Sequence, residues 1–144
     1  MIVPAETELT APYWAAARRG EVLLQKCERC ARVWHPPAPL CPGCRGSSWS
    51  WLPAAGTATL VSWTRVVHPV HAQVADSTPY AVGLVQLAEG PLFVCGLDTP
   101  DDDGLVDGAL ITIGLGIAAG GARLPLGRPV APAAPGEAAR ARRA

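Results

Sequence analysis

Four of the five cysteines stand in two pairs, Cys27-Glu28-Arg29-Cys30 and Cys41-Pro42-Gly43-Cys44, a C-x2-C-x10-C-x2-C pattern. Two thiols three positions apart can aim at one point. Two such turns supply the four soft ligands of a tetrahedral zinc ion, each sulfur ~2.3 Å from the metal. The spacer is shorter than the roughly fifteen to twenty residues usual between such pairs, yet long enough for the chain to turn back. An iron–sulfur cluster or a single iron also takes four thiolates. Two disulfides are the remaining use. Against them, Met1-Ile2-Val3-Pro4-Ala5-Glu6 lacks the basic and apolar regions of an export signal, which points to the reducing cytoplasm. Four thiolates close the coordination shell and leave a zinc centre doubly negative, a poor Lewis acid. The expectation is one structural Zn2+ per chain on Cys27, Cys30, Cys41 and Cys44, with metal binding as part of folding.

The other reactive residues lack partners in sequence. Cys95 lies in the apolar run Leu92-Phe93-Val94-Cys95-Gly96-Leu97 and reads as a core thiol, not a nucleophile. His68 and His71 have no carboxylate motif beside them, and His35 could replace a cysteine ligand, but four cysteines already suffice. The Asp101-Asp102-Asp103 cluster lacks the ligand alternation of a calcium loop. Neither G-x-S-x-G nor a phosphate-binding loop occurs, so no catalytic group assembles and the chain is expected not to be an enzyme itself. Trp14, Trp34, Trp49 and Trp51 crowd the first 51 residues, which suits ribbon packing or an interface hot spot. Trp63 and Tyr80 offer stacking faces, and Arg65 and Arg123 could meet phosphates.

These residues need elements to hold them. A helix is expected from Ala11 to Arg19, capped by Thr10 and stopped at Gly20, with Tyr13, Trp14 and Ala17 on one apolar face. Val22 to Lys26 reads as a strand leading into the first cysteine pair. Residues 27–44 are loop-rich, and Trp49-Ser50-Trp51 alternates, placing both indoles on one face of a short strand. From Gly56 the text becomes short β-runs: Gly56 to Val67, Tyr80 to Leu87, Leu92 to Leu97, and Ala109 to Leu115. They are broken by Gly, Pro and Asp clusters, and Glu89-Gly90-Pro91 is a tight turn. Such spacing suggests a small barrel or sandwich. The expected organisation is an N-terminal helical segment (1–20), a ribbon (21–52), a β-domain (53–129) and a disordered Ala- and Arg-rich tail (130–144).

The chain has 144 residues, 49% of them apolar and 17% charged, so a folded core is expected. Lys and Arg number 12 and Asp and Glu 12. Residues 53–129, the largest segment, are acidic, which argues against nucleic acid lying on them. No apolar stretch is long enough for a transmembrane helix.

The order of these features resembles the domain-of-unknown-function-35 family. The resemblance rests on Tyr13-Trp14, Leu23-Leu24-Gln25-Lys26-Cys27, Pro36-Pro37, the cysteine pairs, Trp63-Thr64-Arg65-Val66-Val67, Pro79-Tyr80-Ala81-Val82 and Glu89-Gly90-Pro91. It spans about residues 10–130. It implies a mainly β chain: a short helix, a rubredoxin-like zinc ribbon, then an OB-fold barrel. It also implies a non-catalytic, cytoplasmic accessory subunit of lipid metabolism, in a hetero-oligomer with a thiolase-fold or hydratase-type enzyme acting on acyl-CoA. On that reading Tyr13, Trp14, Trp34, Trp63, Arg65 and Tyr80 are the candidate partner or ligand contacts. A stand-alone acyl-CoA- or acyl-chain-binding module is the alternative, and an OB-fold binding nucleic acid a third. The sequence departs from the family pattern at Ala38, where an Arg is usual, at Gly56, which stands alone where a pair is usual, and at Gly127, where an aromatic is common.

Overall fold

The structure, a computed structural model, describes residues 5–69, 78–99, 102, 104–117 and 121–130. His71, the acidic residues Asp101 and Asp103, and the tail from 131 lie outside the described residues.

Helix α1 runs Ala11–Arg19, as the apolar spacing predicts, and buries Tyr13, Ala16 and Ala17. Gly20 ends it in the left-handed region at φ 94°. The Gly20 N–H donates to the Ala17 carbonyl and the Glu21 N–H to the Ala16 carbonyl, so the last turn is satisfied. Thr10 does not cap it through its side chain. Its hydroxyl instead accepts from the Thr7 N–H at 2.9 Å, closing a turn that precedes the helix. That local bond competes with the capping bond for the same oxygen.

Strands β1 (Leu23–Cys27), β2 (Val33–Trp34) and β3 (Trp49–Pro53) form an antiparallel sheet in the order β2-β1-β3. β2 falls in the stretch read as loop. Two residues are too few to show an alternation, and only pairing with Gln25 and Lys26 of β1 defines them. The Trp49 and Trp51 rings share a face, centroids 5.4 Å apart and nearly perpendicular.

The remaining strands are β4 (Thr57–Val66), β5 (Tyr80–Leu87), β6 (Leu92–Leu97), β7 (Leu110–Ile117) and β8 (Arg123–Pro129). They close into a barrel in the order β4-β5-β6-β8-β7, with β7 returning to β4. Among the described strands of the barrel, only the β6–β8 pairing is parallel. β4 is long enough to pair with two neighbours because a bulge between Leu60 and Ser62 bends it. β8 is absent from the sequence reading, since Pro125 and Gly127 both argue against a strand. Pro125 is tolerated because β8 meets β6 only at Leu126 and Gly127, leaving the earlier half of that edge without a ladder on the β6 side.

One continuous core joins the parts. Leu60, Val85, Leu87, Phe93, Cys95, Ile111 and Ile113 fill the barrel, and Tyr13, Val22 and Leu24 from the helix and ribbon belong to the same cluster. His35 sits at the junction, its ring 4.6 Å from Phe93 of the barrel and 5.4 Å from Tyr13 of the helix. A second small cluster, Cys27, Trp34 and Cys41, forms the core of the ribbon. Among the described residues, no helix is long and apolar enough to cross a membrane.

Candidate metal centre

The four paired cysteines converge. Their sulfurs all lie within 4.8 Å of one another, with Cys27 to Cys44 at 3.5 Å and Cys30 to Cys41 at 3.6 Å. A tetrahedral centre with sulfur at ~2.3 Å has edges of about 3.8 Å, so the donor set fits one ion the size of zinc. It does so through two near-identical turns. In the first, the Cys27 N–H donates to the Arg32 carbonyl at 2.9 Å and the Ala31 N–H to the Cys27 carbonyl at 3.0 Å. In the second, the Cys41 N–H donates to the Gly46 carbonyl and the Arg45 N–H to the Cys41 carbonyl, both at 2.9 Å. Each turn needs a left-handed residue just after its second cysteine, and Ala31 (φ 59°) and Arg45 (φ 58°) supply it.

The backbone also prepares the sulfurs. The Cys44 N–H and then the Gly43 N–H, against the opposing effect of burial, draw the Cys41 thiol down to about 6. The Cys30 N–H leads a similar lowering of Cys27. At Cys30 the Arg32 N–H draws the thiol down, but the Cys41 sulfur and burial outweigh it, leaving it at about 11. Four crowded sulfurs cannot all ionise side by side, and a divalent cation at their centre removes that conflict.

Behind the cysteines, Gln25 is fully buried on β1 and its Oε1 accepts from the Ala38 N–H at 2.7 Å. This ties the spacer between the cysteine pairs to the sheet. The backbone at Ala38, the position where an Arg is usual, is thus part of that tie. Trp49 Nε1 donates to the Pro39 carbonyl at 3.2 Å and steadies the same spacer. Sequence reasoning passed over Gln25; a polar residue in an otherwise apolar strand was the available signal.

The proposed contact residues separate. Tyr13 is 4% exposed and Trp34 5%, so neither is a surface group. The continuous core draws Tyr13 inward, and Trp34 packs edge-on against Trp49 inside the ribbon. Trp14 and Tyr80 are half-buried. Trp63 and Arg65 pair with Gly83 and Ala81, both on the inward side of β5. Trp63 Nε1 donates to the Leu105 carbonyl at 3.0 Å, and Arg65 grips Asp102 through Nε, 2.9 Å from both carboxylate oxygens. These two side chains pin the chain that leads into β7 against β4. Cys95 is 3% exposed, and burial, opposed by the Gly127 N–H, pushes its thiol up to about 11, as expected of a core group.

Residues 14–50 match the family described as ChsH2, rubredoxin-like zinc ribbon domain. Residues 51–119 match ChsH2, C-terminal OB-fold domain. A solved structure described as Ltp2-ChsH2(DUF35) aldolase superimposes with a TM-score of 0.76 and is 32% identical, over 88% of this chain and 98% of that one. The chain belongs to the DUF35 family. A DUF35 domain-containing scaffold protein of Pyrococcus furiosus is 29% identical over 97 residues, 67% of this chain and 70% of that protein. A probable enoyl-CoA hydratase alpha subunit of Thermomonospora curvata is 37% identical over 94 residues, 65% of this chain. The chain spans only 29% of that protein's length. A DUF35 family structure from Sulfolobus solfataricus, 13% identical with a TM-score of 0.60, shares the fold. The DUF35 architecture of zinc ribbon followed by OB-fold barrel is thus the one seen here.

Proposed function

We propose that this DUF35 chain is a cytoplasmic, non-catalytic accessory subunit that sits on a thiolase-fold or hydratase-type enzyme processing acyl-CoA substrates. Its ribbon would be held by one structural zinc on Cys27, Cys30, Cys41 and Cys44. The observation that carries the docking role is the outer face of the barrel. Its outward positions on β5, β6 and β8 are Tyr80, Val82, Leu84, Gln86, Leu92, Val94, Gly96, Leu124, Leu126 and Arg128. Arg128 is the single charge, and it pairs with Asp98 at 2.7 Å. Leu92 is 49% exposed and Val94 61%. A sheet face that meets water usually carries polar side chains at its outward positions, and a patch this free of charge suits a protein partner. The names of the similar proteins, an aldolase complex and an enoyl-CoA hydratase subunit, support acyl-CoA chemistry in that partner. The stand-alone CoA-binding reading is weakened because Arg65, one of the two cations it relies on, is engaged by Asp102.

Co-expression with the thiolase-fold and hydratase-type enzymes of the host, followed by size-exclusion chromatography, tests the proposal. A stable complex is expected, lost in the double variant Leu92→Arg, Val94→Arg while that chain keeps its zinc and its circular dichroism. A native chain that never co-elutes with such an enzyme overturns the role. A double variant that co-elutes as well as the native chain overturns the face.

A further inference from the structure

The described arginines divide into two groups. Arg18, Arg19, Arg65 and Arg128 each pair with a carboxylate. Arg29, Arg32, Arg45 and Arg123 make no ion pair among the described residues; Arg123 opens β8, and the other three lie on the ribbon beside the cysteines. Two of them are placed by glycines of the opposite cysteine turn. A Cβ on Gly43 would meet Arg32 Nε at 2.7 Å and Cδ at 3.1 Å, and one on Gly46 would have Arg29 Cδ at 3.9 Å. Those glycines also touch the sulfurs. The Gly43 N–H donates to Cys41 Sγ at 3.4 Å, and the Gly46 Cβ position lies 3.3 Å from Cys44 Sγ. Arg32 therefore lies over the backbone of the second turn, in space that a side chain at position 43 would take, and Arg29 reaches alongside Gly46.

We propose that Arg29 and Arg32 are positioning cations of the metal centre. With Arg32 over Gly43 and Arg29 alongside Gly46, they offset the double negative charge of a zinc tetrathiolate and slow the loss of the metal. The inference rests on the zinc reading above. The physical reason is that a centre of charge −2 near the surface attracts cations, and these two are held close by packing on glycine rather than by carboxylate partners. A cation roughly 8 Å from such a centre in water favours it by about fivefold in equilibrium constant. At 0.5 M salt the screening length shortens to about 4 Å and the effect falls below about twofold.

The test is transfer of zinc from the full zinc-loaded chain to the chromophoric chelator 4-(2-pyridylazo)resorcinol, at 20 mM and 500 mM salt. The double variant Arg29→Gln, Arg32→Gln is expected to release zinc about tenfold or more readily at 20 mM salt and nearly as the native chain does at 500 mM. Arg29→Lys with Arg32→Lys, which keeps the charge, should recover most of the difference. Gly43→Ala crowds the Arg32 side chain away without changing any charge, and should raise release about twofold to fivefold at low salt. It carries the test if the glutamine variant misfolds. Equal release by native and variant chains at 20 mM salt would overturn the proposal. A native chain purified from zinc-supplemented cells without zinc would overturn the metal reading itself.

Discussion

His35 offers a sharp test of how the ribbon is joined to the barrel. Its ring lies between Tyr13 and Phe93, and its Nδ1 is buried with no hydrogen-bond partner among the described residues. Burial holds its pKa at about 4, against an ordinary 6.5. Tyr13, whose ring packs against it, is pushed up to about 12 by burial and stays neutral, and among the described residues burial is what sets the His35 shift. An unfolded chain takes up this proton near pH 6.5, the folded chain only near pH 4. Between those values the unfolded state binds more protons, so stability falls as the pH is lowered. The contribution is complete above pH 6.5 and gone below pH 4. The gap of about 2.5 units amounts to ~3 kcal/mol, less whatever water at the half-buried ring relieves. Acid also protonates the thiols, so the native curve alone is ambiguous. His35→Phe separates the two, because it fills the same slot between two rings and cannot titrate. Urea unfolding with excess zinc at pH 7, 6, 5 and 4.5 should show equal or greater stability for the variant at pH 7. The gap should widen by roughly 2–3 kcal/mol by pH 4.5. Parallel pH curves for the two proteins would refute the buried, neutral histidine.

Gly127→Ala is expected to lower stability by roughly 1–3 kcal/mol in thermal unfolding, since the new methyl would meet Ile111 Cγ2 at 2.8 Å and Cys95 Sγ at 3.1 Å; no change would mean the barrel has slack there. Ala31→Gly and Arg45→Gly, at φ 59° and 58°, should each raise stability of the zinc-loaded chain by about 0.5–1 kcal/mol, and a loss would show that the left-handed turns are misassigned. Stripping the metal should red-shift tryptophan emission, because Trp34 and Trp49 pack in the same cluster as Cys27 and Cys41; an unchanged spectrum from a chain proven free of zinc would contradict metal-dependent ribbon packing.

The cysteine spacing and the period of the apolar residues were sufficient for much of this architecture. β5 and β6 match their expected bounds, and α1 does too, because each is a local pattern that the fold had only to accept. The four sulfurs meet as their spacing demands, since a ribbon too small for its own core is organised around its ligands. Contacts between distant segments were not legible. Tyr13 and Trp34 were candidate partner contacts on the family resemblance and are buried, because burial depends on what lies opposite, and His35 and Trp49 lie opposite only after folding. Arg65 read as a residue that could meet phosphates, and the chain before β7 brings Asp102 to it from thirty-seven residues away. β8 became a strand against its own composition because β7 and the end of β6 left a place for it. Gly127, where an aromatic is common, fits because Ile111, Cys95 and Leu97 already occupy the space a side chain would need. Local sequence sets the period of an element and the chemistry of its side chains. Which face is covered, and which charge is answered, is decided by long-range packing, whose partners no local window contains.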